Sequence, residues 1–553
     1  MPHSSLVRGD VVAIARQRYW GCQRLCSSQP KANQTQRVNR FAIMASQGLG
    51  QPTLEMEASD QMRRLGEDAQ EAFASGNPDT LRQDGGDMME GMLKEMEIVR
   101  KRVLEKPGVL PQLVAQLRMG DVDQQSKAAE MLFCVVGQGP GRDAAATKQA
   151  LECGLLQAIL TGIQSITAQP SSRLRQDQDA QQLISLLVAM LSQLTMEKSD
   201  QAPIHTTVSQ GGVKLLRSLF DVIASEGGQQ NLVSMLWHWS TCSEDIRQQV
   251  MDIGMPELQV GLLGLQHSPV QRQTAADQLS AYVSFPTQQE NSDQQPDSRL
   301  AADLVHAGAP MQLIEMLSSR YHDQVRCSAA QAICTLATFS PKSKMNIIAA
   351  GAYHLVVAML QRSESPAVKE AGCHLIVTLA TGDPGAGPIF TQPEAAVQFA
   401  AIGAISALAD MLRPVNQPST RITAILVLHV MANAYEDRVQ KALVSAQVVP
   451  LFLDLLRVLS GRLPWDSSLD ELEQPTIEGL RLKSAEILAM VAINNQAHTR
   501  LLVDTGAIPE LVLVASGSEV PEEDREPLLR MLHHLCKSDG DVLAILSAMM
   551  TET

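Results

Sequence analysis

Apolar positions along this chain fall at helical spacing, and they do so in blocks that repeat. The run "AAGAYHLVVAML" at 349–360 places Leu355, Val356, Met359 and Leu360 on one helical stripe. Nearly the same phrase stands at 306–317 ("HAGAPMQLIEML"), 401–412 ("AIGAISALADML") and 504–515 ("DTGAIPELVLVA"). A short helical segment precedes it, as in "MNIIAAG" (345–351) and "TRLLVDTG" (499–506). The glycine between them permits a sharp change of direction that a Cβ would hinder. After a polar break comes a third, longer helical pattern, such as "QVRCSAAQAICTLAT" (324–338) or "AVKEAGCHLIVTLAT" (367–381), whose paired small residues let neighbouring helices approach closely.

The small residue of each phrase serves as a ruler: Gly108, Gly154, Gly212, Gly254, Gly308, Gly351, Gly403, Gln447 and Gly506. Nine units result, separated by 42 to 59 residues, which suits two or three helices per unit rather than the shorter ankyrin or tetratricopeptide period. Third helices are predicted near 124–138, 271–284, 324–338, 367–381, 419–433 and 479–493. No such unit buries its apolar face alone, so the ends need polar covers. The amphipathic segment 88–106 is the expected N-terminal cap. The stretch after Pro521, with Leu528, Leu529, Leu532 and Leu535, closes the other end. Long and short gaps alternate, and the extra length falls in polar loops at 169–179, 285–299, 382–394 and 461–476.

The pattern V-R-x-x-A-A-x-x-[IL]-x-x-L-A following G-A-x-x-x-L-x-x-[ML]-L resembles the armadillo repeat, over roughly residues 106–540. The match is best at 306–383 and poorest in the third unit, where "NLVSMLWHWSTC" lacks the small pair. The resemblance implies an all-α, right-handed armadillo-type α-solenoid of about nine repeats with its third helices along a concave groove. It also implies a scaffold or adaptor that binds partner proteins or extended peptides without catalysing a reaction. A chaperone-linked or ubiquitin-pathway adaptor would use the same surface. The expected layout is a basic leader at 1–46, a linker at 47–87, the cap at 88–106, the repeat domain at 107–540 and a C-terminal tail at 541–553.

Composition narrows the partners. Aromatic residues are only 3% of a chain that is 45% hydrophobic, as expected where helices pack on helices. The net charge is −15, yet residues 1–46 hold seven Lys/Arg against one acid, Asp10, which leaves the remainder at −21. A body of that sign repels phosphate backbones, so no nucleic-acid partner is expected. Apolar runs such as "LISLLVAMLSQL" (183–194) are too short to span ~30 Å of hydrocarbon, so membrane insertion is not expected either. The nine cysteines are scattered, as small hydrophobes in a reducing compartment are. The expected location is therefore cytoplasmic. The leader reads either as an organelle transit peptide or as a disordered segment ahead of a second start at Met44. Cys22 and Cys26 lack a second Cys/His pair, so no metal is expected, and no motif calls for a cofactor.

No catalytic constellation emerges. "GQGPGRD" (137–143) lacks the preceding strand and following G-K-[ST] of a phosphate cradle, and adjacent His533 and His534 point to different sides of a helix. In the importin-α kind of armadillo protein, Trp and Asn four residues apart line the third helices and grip a basic peptide. Here those columns read Glu130/Cys134, Asp277/Ala281, Gln331/Thr335, His374/Thr378, Leu426/Val430 and Glu486/Met490, so that ladder is absent. Trp237 and Trp239 read as core. Gln331 and His374 remain as binding candidates. Three residues before each small pair stand Arg272, Arg326, Lys369, Arg421 and Arg481, either a basic ladder for an acidic extended ligand or structural partners of neighbouring acids. Trp465, in the acidic loop "LPWDSSLDELEQP", is either a docking motif, a groove cover or a packing residue.

Overall fold

A computed structural model describes residues 97–101, 103–106, 108–136, 144–196, 201–284, 298–339, 341–363, 365–381, 393–460, 462–463, 474–517 and 521–552. Among them the regular structure is helical and no β-strand appears. The chain divides into two compact units, Met1–Ile253 and Gly254–Thr553.

Both units use one local plan. A short helix and a second helix meet at a residue with left-handed backbone, and a longer third helix follows. The left-handed residues are Gly108, Gly154, Gly211, Gly254, Gly308, Gly351, Gly403, Gln447 and Gly506, with φ between 56° at Gln447 and 94° at Gly308. L-residues avoid this region because Cβ crowds the carbonyl, which is why glycine recurs there. The third of these corrects the sequence reading. Gly211, not Gly212, makes the turn, while Gly212 opens the following helix, where a Cβ would stand 2.7 Å from the Thr207 carbonyl oxygen. The turns bend the chain steeply. Helices Ser343–Ala349 and Ala352–Arg362 meet at 72°, and Pro393–Ala401 and Ala404–Met411 at 77°.

The third helices, numbered in chain order, are α1 Val122–Val136, α2 Gln178–Thr195, α3 Glu226–Ser240, α4 Pro269–Ser284, α5 Asp323–Phe339, α6 Pro366–Ala380, α7 Pro418–Ala432, α8 Gln474–Ala492 and α9 Glu522–Ser538. In the first unit α1 packs on α2 and α2 on α3. In the second, each of α4 to α8 packs on the next. The small pairs make this approach close: Ala275, Ala276, Ala329 and Ala330 are essentially inaccessible. In α3 the small residues sit instead at the helix start, where a Cβ on Gly228 would come within 2.8 Å of the Ile223 side chain. The indoles of Trp237 and Trp239 fill the interior there, as their sequence context suggested. Each fully buried Leu or Ile in such a layer contributes about 1.5–3 kcal/mol by leaving water.

Of the described part of the expected N-terminal cap, residues 97–101 and 103–105 are helical and 106 is a bend. At the other end α9 carries the buried Leu528, Leu532 and Leu535, with Leu529 exposed. The stretch expected as a tail forms a further helix, Gly540–Glu552, against α9 and the helix Ala507–Ser516. The leader, the linker, Trp465 and most of the loops at 285–299, 382–394 and 461–476 lie outside the described residues. No single described helix is long and apolar enough to cross a membrane.

Candidate interaction face

The basic column does not form a row of free cations. Arg272 is 1% exposed. Its Nε donates to the Leu263 carbonyl at 2.7 Å, and its guanidinium also reaches the Glu315 carboxylate and the Tyr321 hydroxyl, lying 4.8 Å from that ring's centroid. Arg326, also buried, donates from Nε to the Leu317 carbonyl at 3.3 Å and pairs with Asp323. Leu263 and Leu317 are the C-cap residues of the helices Met255–Leu262 and Ala309–Met316, so each arginine closes the carbonyl end of its repeat's second helix. Half-buried Lys369 donates to Asn416 Oδ1 at 3.4 Å, in the turn of the next repeat. Arg421 is buried and Arg481 half-buried. Arg272 and Arg326 thus follow the structural alternative, since cations drawn into helix ends are not presented to a ligand.

The same position does this work beyond the column. The fourth residue of α1 to α7 and of α9 is Gln, Arg or Lys. Gln125 donates to the Leu117 carbonyl (3.1 Å), Gln181 to Leu174 (2.9 Å) and Val222 (3.0 Å), Gln229 to Ile223 (3.1 Å) and Arg525 to Ala515 (2.9 Å). A neutral amide serves as well as a cation, so the requirement is a long side-chain donor. Sequence reading missed the glutamines because it searched by charge.

The other column does gather. On adjacent α4 and α5, Gln331 Nε2 donates to Ser280 Oγ (3.2 Å), and that hydroxyl meets Thr335 Oγ1 at 2.9 Å. Asp277, one turn before Ser280, is exposed, as is His374 on α6. Thr420 on α7 donates to Glu370 on α6 at 3.2 Å. On α7 and α8, His429 Nε2 stands 2.8 Å from Glu486 Oε2, which also takes Lys483 Nζ at 2.8 Å. In the first unit Gln182 of α2 donates to Glu130 of α1 at 3.1 Å, and burial pushes the Glu130 carboxyl up to about 7. Within each unit these contacts join successive third helices, with Gln331 among them, while His374 stays exposed on α6 one helical turn past Glu370. Trp465 lies outside the described residues. His429 and Lys483 were missed in the sequence, although Lys483 stands one helical turn before the Glu486 that was singled out.

Chemistry on this face is limited. Among the described residues no group of three or more His, Cys, Asp or Glu side chains is arranged to hold a metal ion. Burial pushes the Cys134 thiol up to about 12 and the Cys334 thiol to about 11, which keeps both protonated and unreactive at neutral pH.

No protein-family model matches the chain, and no curated protein matches it. Solved structures do. An engineered protein is 18% identical, covering 90% of this chain and 98% of its own, with a TM-score of 0.51. A designed armadillo repeat protein is 20% identical over 50% of this chain and 99% of its own, with a TM-score of 0.38. Another designed armadillo repeat protein, made for modular peptide recognition, gives 20%, 50% and 98%, with a TM-score of 0.38. The first of these matches is a likeness of fold that runs over most of the chain.

Proposed function

We propose that this chain is a non-enzymatic protein-binding scaffold or adaptor that holds extended segments of partner proteins along its third-helix face. The observation that carries the reading is the row of side-chain amide, hydroxyl, carboxylate and imidazole groups on successive third helices of the second unit: Asp277, Gln331, Thr378 and His374, with Arg272 and Arg326 turned inward to helix ends. Spaced donors and acceptors on a pre-packed surface suit an extended backbone, because the protein side loses little freedom on binding. About nine repeats, wound right-handed within each unit, belong to the same proposal. So does a reducing, cytoplasmic setting, which the scattered cysteines support.

The test is affinity capture with the full chain beside Gln331→Arg/His374→Asp. Both residues are at least partly exposed, so the melting curve should hold while specific partners drop out. Partners retained in full by the double variant would overturn the reading.

A further inference from the structure

Most ion pairs of the second unit are exposed on at least one side, but one charged cluster is enclosed between two third helices. Glu486 of α8 is 2% exposed, and the His429 side chain of α7 is 15% exposed. They meet at 2.8 Å, and Lys483 donates to the same carboxylate oxygen at 2.8 Å. The contact spans 57 residues of sequence, so it joins repeats rather than stiffening one helix.

We propose that His429, Glu486 and Lys483 form a proton-sensitive lock that holds α7 on α8 near neutral pH and loosens as the medium acidifies. The carboxylate already has its counter-charge in Lys483. While His429 is neutral, its Nε2–H donates to Glu486 and the enclosed group carries no net excess of charge. A proton on His429 places a second cation in a dry site with one anion between two positive groups, and desolvation outweighs the added attraction. In keeping with this, burial first, and Lys483 after it, hold the imidazole below its ordinary range despite Glu486. For Glu486 burial pushes upward, but His429 and Lys483 together hold it below the usual carboxylate value, so it stays ionised.

Several charged groups on the neighbouring elements are engaged elsewhere, while His498 meets the Val491 carbonyl of α8 and His374 stands exposed on α6. On α6, Glu370 takes Thr420 and Lys369 takes Asn416; on α9, Arg525 takes the Ala515 carbonyl and His534 meets Asn494. Asp437 pairs with Lys441, Arg413 with Asp410, and Glu510 with Arg457 and Arg462. In the turn after α7, burial and then Glu486 push the Tyr435 phenol upward, so it stays neutral across the range concerned.

The sign follows from proton counting. A histidine whose folded pKa is depressed binds fewer protons folded than unfolded between the two values. Its contribution is therefore complete above about 6.5 and is lost as pH falls below that value. The experiment compares the full chain with His429→Gln, which keeps a side-chain N–H for Glu486 but cannot titrate. Hydrogen exchange over 418–432 and 474–492, corrected for intrinsic rates, is read at pH 7.5 and 5.0. The wild type should lose protection relative to His429→Gln by several-fold at pH 5.0 and match it at pH 7.5. A constant ratio between the two chains, or a wild type that gains at low pH, overturns the lock. If the glutamine destabilises the pair at both pH values, the His429 imidazole titration followed by NMR decides. A midpoint below 6.5 that rises in Lys483→Met supports the lock, and a midpoint at or above 6.5 in the wild type overturns it.

Discussion

Gly351 offers the cleanest measurement of what the inter-helix turn costs. Its φ is 82° and ψ 22°, and a Cβ built there would meet no atom within 4 Å. Any penalty for a side chain is therefore the backbone's own, uncomplicated by a clash. An L-residue in left-handed conformation costs about 1–2 kcal/mol. For alanine this is reduced by ~0.4–1 kcal/mol, because the unfolded chain also loses freedom. Gly351→Ala should thus cost roughly 1 kcal/mol, and Gly351→Val up to about 3 kcal/mol, since a branched Cβ tolerates this region least. Gln447 provides the reverse experiment, a natural side chain already at φ 56°, so Gln447→Gly should be neutral or mildly stabilising. Because stacked repeats open piecemeal, the readout must be local: hydrogen exchange across 343–362, alongside urea unfolding. Gly351→Val with unchanged protection there, or a glycine at 447 that destabilises as much as valine does at 351, would refute the assignment of these turns.

Replacing Arg272 with Met should lower stability by about 1–3 kcal/mol, because it leaves the Leu263 carbonyl short of a donor while Glu315 keeps Arg320 and Tyr321; calorimetry of the full chain checks this. Reversing Arg326 and Lys369 together to Glu should depress the melting temperature rather than act cleanly on binding, and an unchanged melt with lost capture would restore the ladder. Glu130 titrates near 7 folded against 4.5 unfolded, so the native state binds more protons in between and stability falls as pH rises through that window. Glu130→Gln should accordingly melt higher than wild type at pH 8 and equally at pH 4.5, and a parallel pH profile for the two would count against it. A basic import-type peptide should bind weakly and in a salt-sensitive way, since Asp277 and Glu370 attract it without the indole and amide ladder that would hold its backbone. Titration at raised salt tests that.

The turns were legible because left-handed backbone leaves a chemical trace. Glycine is the only residue that adopts it freely, so recurrence of glycine at one phase of the apolar pattern marks the bend. Gln447 could be placed by phase alone, once its neighbours had set the frame. Gly211 could not be told from Gly212, since both are glycine for different reasons: one for its φ, the other because the Thr207 carbonyl leaves no room for a Cβ. The third helices were legible for a related reason. Small pairs and apolar stripes are properties of residues near one another in sequence, and the observed Pro366–Ala380 and Pro418–Ala432 depart by one residue from the predicted bounds.

The basic column shows where such reasoning stops. Its regularity was real, but regularity does not say which way a side chain points. At the fourth residue of a third helix, the chain has just turned back from the second helix, whose last carbonyls lack intrahelical donors. A long side chain there meets that need before it meets solvent. The sequence held the discriminating signal in Gln125, Gln181 and Gln229, which occupy the same position without any charge. A ligand-binding cation ladder would not share its position with neutral amides in other repeats, whereas a helix-closing position accepts either, because the carbonyl asks only for an N–H. Arginine brings the further ability to reach outward at the same time, and Arg272 uses it, closing its own repeat through Nε while its other nitrogens take Glu315 and Tyr321 of the next. Two residues that looked most like part of a binding row, Arg272 and Arg326, are thus the ones that tie the third helix to the end of the second.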